Sequence, residues 1–204
     1  MHGVRNGLIR FNTVVGTRYG DGIWTDWLNA NERLCYNFII DTQAACHSAI
    51  FVEASDEPNR IDHNVIVGCK TYRFKKDPAE RWDGGHGIMA LDSSEVCSDE
   101  NIIFGAEGEA HDMRMGSPCT VAIEPPGNAV QLFNLTAARR YLGWEENGRA
   151  VSIDYQYDSE KMTLTFEVRY KERAVTKEIP MGQIFSLDDV FQFIAEASKK
   201  EAVL

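Results

Sequence analysis

Along the first 119 residues the apolar positions fall in short runs that repeat. One pattern is an aliphatic residue, two more residues, an asparagine, one residue and two apolars. It reads IRFNTVV from Ile9, LCYNFII from Leu34 and IDHNVIV from Ile61, with a worn copy, SDENIIF, from Ser98. The asparagines are Asn12, Asn37, Asn64 and Asn101, spaced by 25, 27 and 37 residues. A second pattern stands between them: DGIWTDW from Asp21, SAIFVEA from Ser48, HGIMALD from His86 and EAHDMRM from Glu109. Each is a strand-length run preceded by turn residues. A period of about 25 residues with at least two short strands in each predicts a parallel β-solenoid of about four coils.

Coils stacked at the ~4.8 Å strand spacing place equivalent residues in columns. The asparagines then form a ladder whose side-chain amides bond to the coils above and below, which satisfies polar groups at a buried corner. The aliphatic column Ile23, Ile50, Ile88 faces the interior until His111 breaks it. The small column Gly22, Ala49, Gly87, Ala110 fits close backbone approach. The long third spacing holds a polar insert, KTYRFKKDPAERWDGG, from Lys70.

Past Cys119 the pattern changes. SPCTVAIEPPGNAVQLF reads as the exit from the repeats, and NLTAARRYLGW as a short helix stopped at Gly143. AVSIDYQY and MTLTFEVRYK alternate around DSEK as a hairpin, with RAVTKEI as a third strand. Ser186 and Asp189 open a helix through Lys200, with an apolar stripe of Val190, Phe191, Ile194 and Ala197. The division predicted is a repeat domain over 1–119 and a small α+β module over 120–204.

The repeat alignment also stacks polar residues. One column is Asp26, Glu53, Leu91, Arg114, with Asp92 one step past Leu91; a neighbouring one is Asp21, Ser48, His86, Glu109. Alternation sends Trp24 and Asp26 to the outward face together, and Phe51 with Glu53. Carboxylates on adjacent coils lie about 5 Å apart at the backbone. Like charges that close raise one pKa unless a cation shares the site, as an acid–base pair requires. Glycoside cleavage uses two carboxyls roughly 5–5.5 Å apart for retention or ~6.5–9.5 Å for inversion; Asp26 with Glu53 suits the first and Asp26 with Asp92 the second. An exposed aromatic beside a carboxylate suits a sugar ring, so Trp24, Phe51, Trp27 and Trp82 are candidate platform residues. The competing reading of these carboxylates is a solvated surface.

The segment from Gly7 to Gly116 resembles right-handed parallel β-helix repeat proteins of the bacterial carbohydrate-active superfamily, glycoside hydrolase-like and pectate-lyase-like. The residues that carry it are NTVVGTRYGDGIWTDW, AIFVEASDEPNRIDHNVIVG and GHGIMALDSSEV. LTAARRYLGWEENGRAVSIDYQYDSEKMTLTFEV resembles the sequence that follows the β-helix in such proteins. The resemblance implies a mainly β protein: a right-handed parallel β-helix of about four coils, then a small α+β module. It also implies a polysaccharide or oligosaccharide partner. Because the architecture hosts hydrolases, lyases, epimerases and non-catalytic adhesins, two functions stay open: a glycoside hydrolase-like enzyme, with lyase chemistry second, and a non-catalytic glycan-binding or structural solenoid. The triplet around His86 is also found in polygalacturonase-type members, there with aspartates on preceding coils and an Arg on a later strand. Asp26, Glu53 and Arg114 follow that order here. The paired aspartates and the Arg-Ile-Lys motif of that group are absent, and MRMG is a loose counterpart of the latter. Arg114, with Arg18 and Tyr19, is the candidate for an acidic sugar carboxylate.

Composition narrows the choice further. The 204 residues carry a net charge of −10, with a pI near 5.0 and no basic run, which argues against a nucleic-acid partner. No apolar run approaches the roughly 18 residues of a membrane helix. MHGVRNGLIRFN has no signal-peptide pattern. The five cysteines, Cys35, Cys46, Cys69, Cys97 and Cys119, form no CxxC pair, so a zinc ribbon or thioredoxin reading has no support. No cofactor is expected; Ca²⁺ on Asp21, Glu53, Asp92, Glu107 and Glu109 is a secondary candidate without a DxDxD loop behind it. The chain begins inside a coil, which suggests a truncated member of the family and an open first edge able to self-associate.

Overall fold

A computed structural model describes residues 1–44, 48–55, 57–71, 85–91, 93, 95–104, 119–123, 128–132, 152–170 and 172–199. The protein is mainly β. The chain passes repeatedly through one strand order. The first pass is β1 (Leu8–Arg10), β2 (Thr13–Val15), β3 (Arg18–Tyr19) and β4 (Ile23–Asp26). The second is β5 (Glu32–Cys35), β6 (Phe38–Ile40), β7 (Gln43–Ala44) and β8 (Ser48–Glu53). The third is β9 (Asn59–Asp62), β10 (Val65–Val67), β11 (Lys70–Thr71) and β12 (His86–Leu91). A fourth contributes β13 (Val96–Asp99) and β14 (Ile102–Phe104). Each strand pairs in parallel with its counterpart one pass later, giving sheets β1-β5-β9-β13, β2-β6-β10-β14, β3-β7-β11 and β4-β8-β12.

Alternation along the strands separates two cores. Ile39 turns inward with Leu34, Ile50, Ile61, Ile66 and Ile88, all fully buried between the sheets. Its neighbours Phe38 and Ile40 turn outward and are buried too, under a second layer. That layer is the antiparallel sheet of β17 (Ser152–Asp158), β18 (Thr163–Tyr170) and β19 (Arg173–Pro180) with helix α1 (Asp188–Lys199). Leu164, Phe166 and Val168 of β18 alternate into this interface, and Phe185 packs edge-on against Phe38 at 4.8 Å between ring centroids. The hairpin and third strand therefore follow the sequence pattern, although Tyr155 and Met162, apolar positions of the two alternating runs, are 47% and 44% exposed. The Ser186 hydroxyl accepts from the Asp188 amide as α1 begins. Strands β15 (Cys119–Ile123) and β16 (Asn128–Leu132) pair as an antiparallel hairpin where the prolines mark the end of the repeats. The EAHDMRM copy and the expected helix in NLTAARRYLGW lie outside the described residues.

The asparagines form the corner between the first and second sheets. Asn12, Asn37 and Asn64 each donate their backbone N–H and side-chain amide to the Oδ1 of the next asparagine, at 2.9–3.1 Å. The side-chain amides of Asn37, Asn64 and Asn101 also donate to the carbonyls of Ile9, Leu34 and Ile61 one pass earlier. The residue before each asparagine, Phe11, Tyr36, His63 and Glu100, has φ between 54° and 57°. That left-handed turn costs roughly 1 kcal/mol per non-glycine residue, and the ladder holds it in place. The small column is explained as expected: a Cβ on Gly22 would lie 2.6 Å from the Ala49 carbonyl and 2.5 Å from Ile39.

Candidate functional site

The β4–β8–β12 sheet positions the residues singled out for chemistry. Its register sets Trp24 against Phe51 and Met89, and Asp26 against Glu53 and Leu91. Thr25 and Val52 between them are fully buried, which places Trp24, Asp26 and Glu53 on the outward face. The two carboxyl-bearing residues are thus direct neighbours across parallel strands, about 5 Å apart at the backbone.

The aromatics divide sharply. Trp24 is 44% exposed and leans on Phe51, with centroids 5.8 Å apart. Phe51 itself is fully buried, so it supports Trp24 and offers no surface to a ligand. Trp27 is 55% exposed. Trp27 turns at the strand end with a positive φ of 50°, as Ala54 does at 45° in the equivalent place one pass later. Its ring stacks with His2 at 6.1 Å.

Residues 1–6 run along the free side of β4. His2 bridges to Asp26, the Asp26 amide donates to the Met1 carbonyl, and the Met1 amine donates to the Trp24 carbonyl. Asp26 therefore lies between His2, 3.6 Å from its Oδ2, and Glu53; its Oδ1 is buried without a hydrogen-bond partner.

His86 takes a different position from the one the triplet implies. It pairs with Ser48 at the start of β12, five residues before the Glu53–Leu91 level, a separation of roughly 16 Å along the strand. It belongs to the inward row with Ile88 and Ala90 and is buried. The Asp21–Ser48–His86 column does stack, with the Ser48 amide donating to Asp21 Oδ1 at 3.0 Å. It is separate from the carboxylate pair. Asp92, Arg114, Trp82, Glu107, Glu109 and His111 lie outside the described residues.

A second cluster was not singled out in the sequence. Arg33 and Arg60 are opposite each other on β5 and β9 and converge on Asp62, which is fully buried. Arg33 donates Nε and one terminal nitrogen at 2.9 and 2.8 Å, and Arg60 Nε lies 2.8 Å away. His63 closes the other side of Asp62 at 2.9 Å and reaches Glu100 at 3.2 Å. Burial acts to raise the Asp62 pKa, but Arg33, His63 and Arg60 together hold it below the usual carboxylate value. The hydrogen bond to Asp62 raises Arg33 in turn. Buried Cys35 stands opposite Asp62 on the neighbouring strand, and desolvation pushes its thiol up. The signal was present: Arg33 and Arg60 share one offset from Asn37 and Asn64.

Among the described residues no group of three His, Cys, Asp or Glu is placed to hold a metal ion. No described helix is long and apolar enough to cross a membrane. No family model matches the chain, and no curated protein and no solved structure matches it either.

Proposed function

We propose that the stacked passes form a right-handed parallel β-helix and that the chain is a carbohydrate-active, glycoside hydrolase-like protein. The β4–β8 face takes a polysaccharide or oligosaccharide. The observation that carries this reading is the register of Asp26 opposite Glu53 on an outward face that also exposes Trp24 and Trp27. Trp24 and Trp27 stack against pyranose rings. Asp26 and Glu53 flank the scissile bond, one as acid and the other as nucleophile, since neighbouring strands suit the short carboxyl separation of a retaining mechanism. Asp92 and Arg114 remain candidates for the same face from the sequence alignment.

The test is reducing-sugar release from a panel of glycans by the wild type, Glu53→Gln and Asp26→Asn. The expected result is release of sugar from at least one glycan, lost by 10²-fold or more in either variant. New ultraviolet absorbance from an unsaturated product would place the chemistry with the lyases.

The burial of His86 favours a second reading, a non-catalytic glycan-binding solenoid, because it leaves the outward face with one fewer candidate catalytic group. In that case the wild type binds a glycan and releases no sugar, and Trp24→Ala abolishes binding while Glu53→Gln retains it.

A further inference from the structure

The arginines of the first three passes gather on one sheet. Asp21, Asp26 and Glu53 lie on or beside β4 and β8. Four of the five arginines in residues 1–60 lie instead on β1, β5, β9 or the turn that leads into them: Arg5, Arg10, Arg33 and Arg60. This happens in a chain whose net charge is −10.

The outward side of that sheet is open. Leu8, Arg33, Arg60 and Cys97 form its exposed row, one residue from each pass. Arg33 and Arg60 are 45% and 53% exposed although both are tied to Asp62. Arg33 engages Asp62 through Nε and one terminal nitrogen and Arg60 through Nε. Arg10 stands on β1 in the Asp62 row, its guanidinium 5.1 Å from the Phe11 ring centroid. It makes no ion pair with a described carboxylate. Among the described residues the opposing charges near this face are Asp62, which is buried, Asp99 beside it on β13, Glu100, held by His63 at 3.2 Å, and Glu57, engaged by Arg5 at 2.7 Å. Asp99 limits the basic strip to the first three passes.

We propose that the outward face of β1, β5 and β9 is a docking site for an acidic glycan, whose carboxylate or sulfate groups are received by Arg10, Arg33 and Arg60. Asp62 is the positioning residue. It fixes two guanidiniums side by side at the strand spacing of ~4.8 Å, close to the rise of one pyranose residue in an extended chain. A guanidinium held in place forms charge-assisted hydrogen bonds with little further loss of side-chain entropy. The acidic β4–β8 face would repel such a chain, so this site is distinct from it. Choosing a glycan among polyanions rests on the carbohydrate reading above; the arginine geometry does not.

The experiment is calorimetric titration of the full chain with oligogalacturonate, its methyl ester, a sulfated oligosaccharide and a single-stranded oligonucleotide. At least one acidic glycan should bind, more weakly as salt rises, and the ester should not. Arg10→Gln and Arg60→Gln should each weaken that binding about tenfold, while Arg169→Gln, an exposed arginine on β18, leaves it unchanged. Thermal midpoints of the variants, read alongside, establish that they remain folded. The proposal is overturned if neither acidic glycan binds, if the ester binds equally, if the two arginine variants match the wild type, or if the oligonucleotide binds more tightly. Sugar release by the wild type reports the β4–β8 reading separately, so either idea can fail alone.

Discussion

The asparagine corner and the Glu32 column both bury polar side chains in the same stack, with opposite results. At the corner, Asn37 and Asn64 are fully buried, and each gives and receives hydrogen bonds on both sides. Glu32 is 2% exposed and neither of its carboxyl oxygens has a hydrogen-bond partner. Its column runs Glu32, Asn59, Val96, and Asn59 does take a ladder role by accepting from the Glu32 amide at 3.1 Å. Stacking repays a buried amide because the amide is donor and acceptor at once and each copy meets an identical one. A carboxylate accepts only, and no neighbour in its column donates to it. The comparison predicts that breaking the ladder will be costly and that removing the Glu32 charge will not.

The largest expected effect is at the ladder's centre. Asn64→Ala removes five side-chain hydrogen bonds and strands buried groups on Asn37 and Leu34. At roughly 1–3 kcal/mol for each unsatisfied group, the loss should exceed about 3 kcal/mol, read as the urea midpoint. Asn12→Ala, at the half-exposed end, should cost about 1 kcal/mol or less. Equal losses at both positions would show that burial, not the continuity of the ladder, sets its strength.

Next in size is Asp62, where the polar partners are charged. Asp62→Asn should cost about 2–3 kcal/mol at neutral pH. The folded-state pKa is depressed, so the stabilisation is present above the ordinary carboxylate value and disappears as pH falls through the lower folded one. Wild type and variant should therefore converge in acid. A constant gap down to pH ~2 would remove the ionic origin of the effect.

The ladder and the two-sided strands were legible in the sequence for one reason: the seven-residue motif recurs, and its consecutive apolars in FII and VIV indicate burial on both faces. The Asp26–Glu53 register followed from the same alignment. The left-handed residue before each asparagine was not legible, since Phe11, Tyr36, His63 and Glu100 share no chemistry that favours positive φ. Nor was the burial of Phe51, which depends on what packs over β8 and not on β8 itself. The Asp21–Ser48–His86 column followed from the same alignment, and counting back from Ile88 sets His86 in the inward row. The shared offset of Arg33 and Arg60 from the ladder asparagines was legible, whereas their convergence on Asp62 depends on side-chain reach, for which strand periodicity carries no signal.

The smallest effect has the opposite sign and tests the comparison most directly. Burial raises the Glu32 pKa above 4.5, and the Met1 amine pulls it back only in part. A carboxyl whose folded pKa is raised binds its proton more tightly in the native state. Its penalty is absent below the unfolded value and grows as pH rises toward the folded one. Glu32→Gln keeps the shape and removes the charge, so it should be about 1 kcal/mol more stable than the wild type at neutral pH and equal to it near pH ~4. Glu32→Leu, which also removes the polar atoms, should gain at least as much at neutral pH, because an apolar side chain has no hydrogen bonds to lose. Gly7 belongs to the same balance, since a Cβ there would lie 2.9 Å from Glu32 Oε1. Gly7→Ala should therefore destabilise the wild type and do less harm beside Glu32→Leu, whose branched end can rotate away. If the wild type and Glu32→Gln show the same slope of stability against pH, Glu32 does not titrate as a buried, unpartnered acid, and the contrast with the asparagine ladder fails.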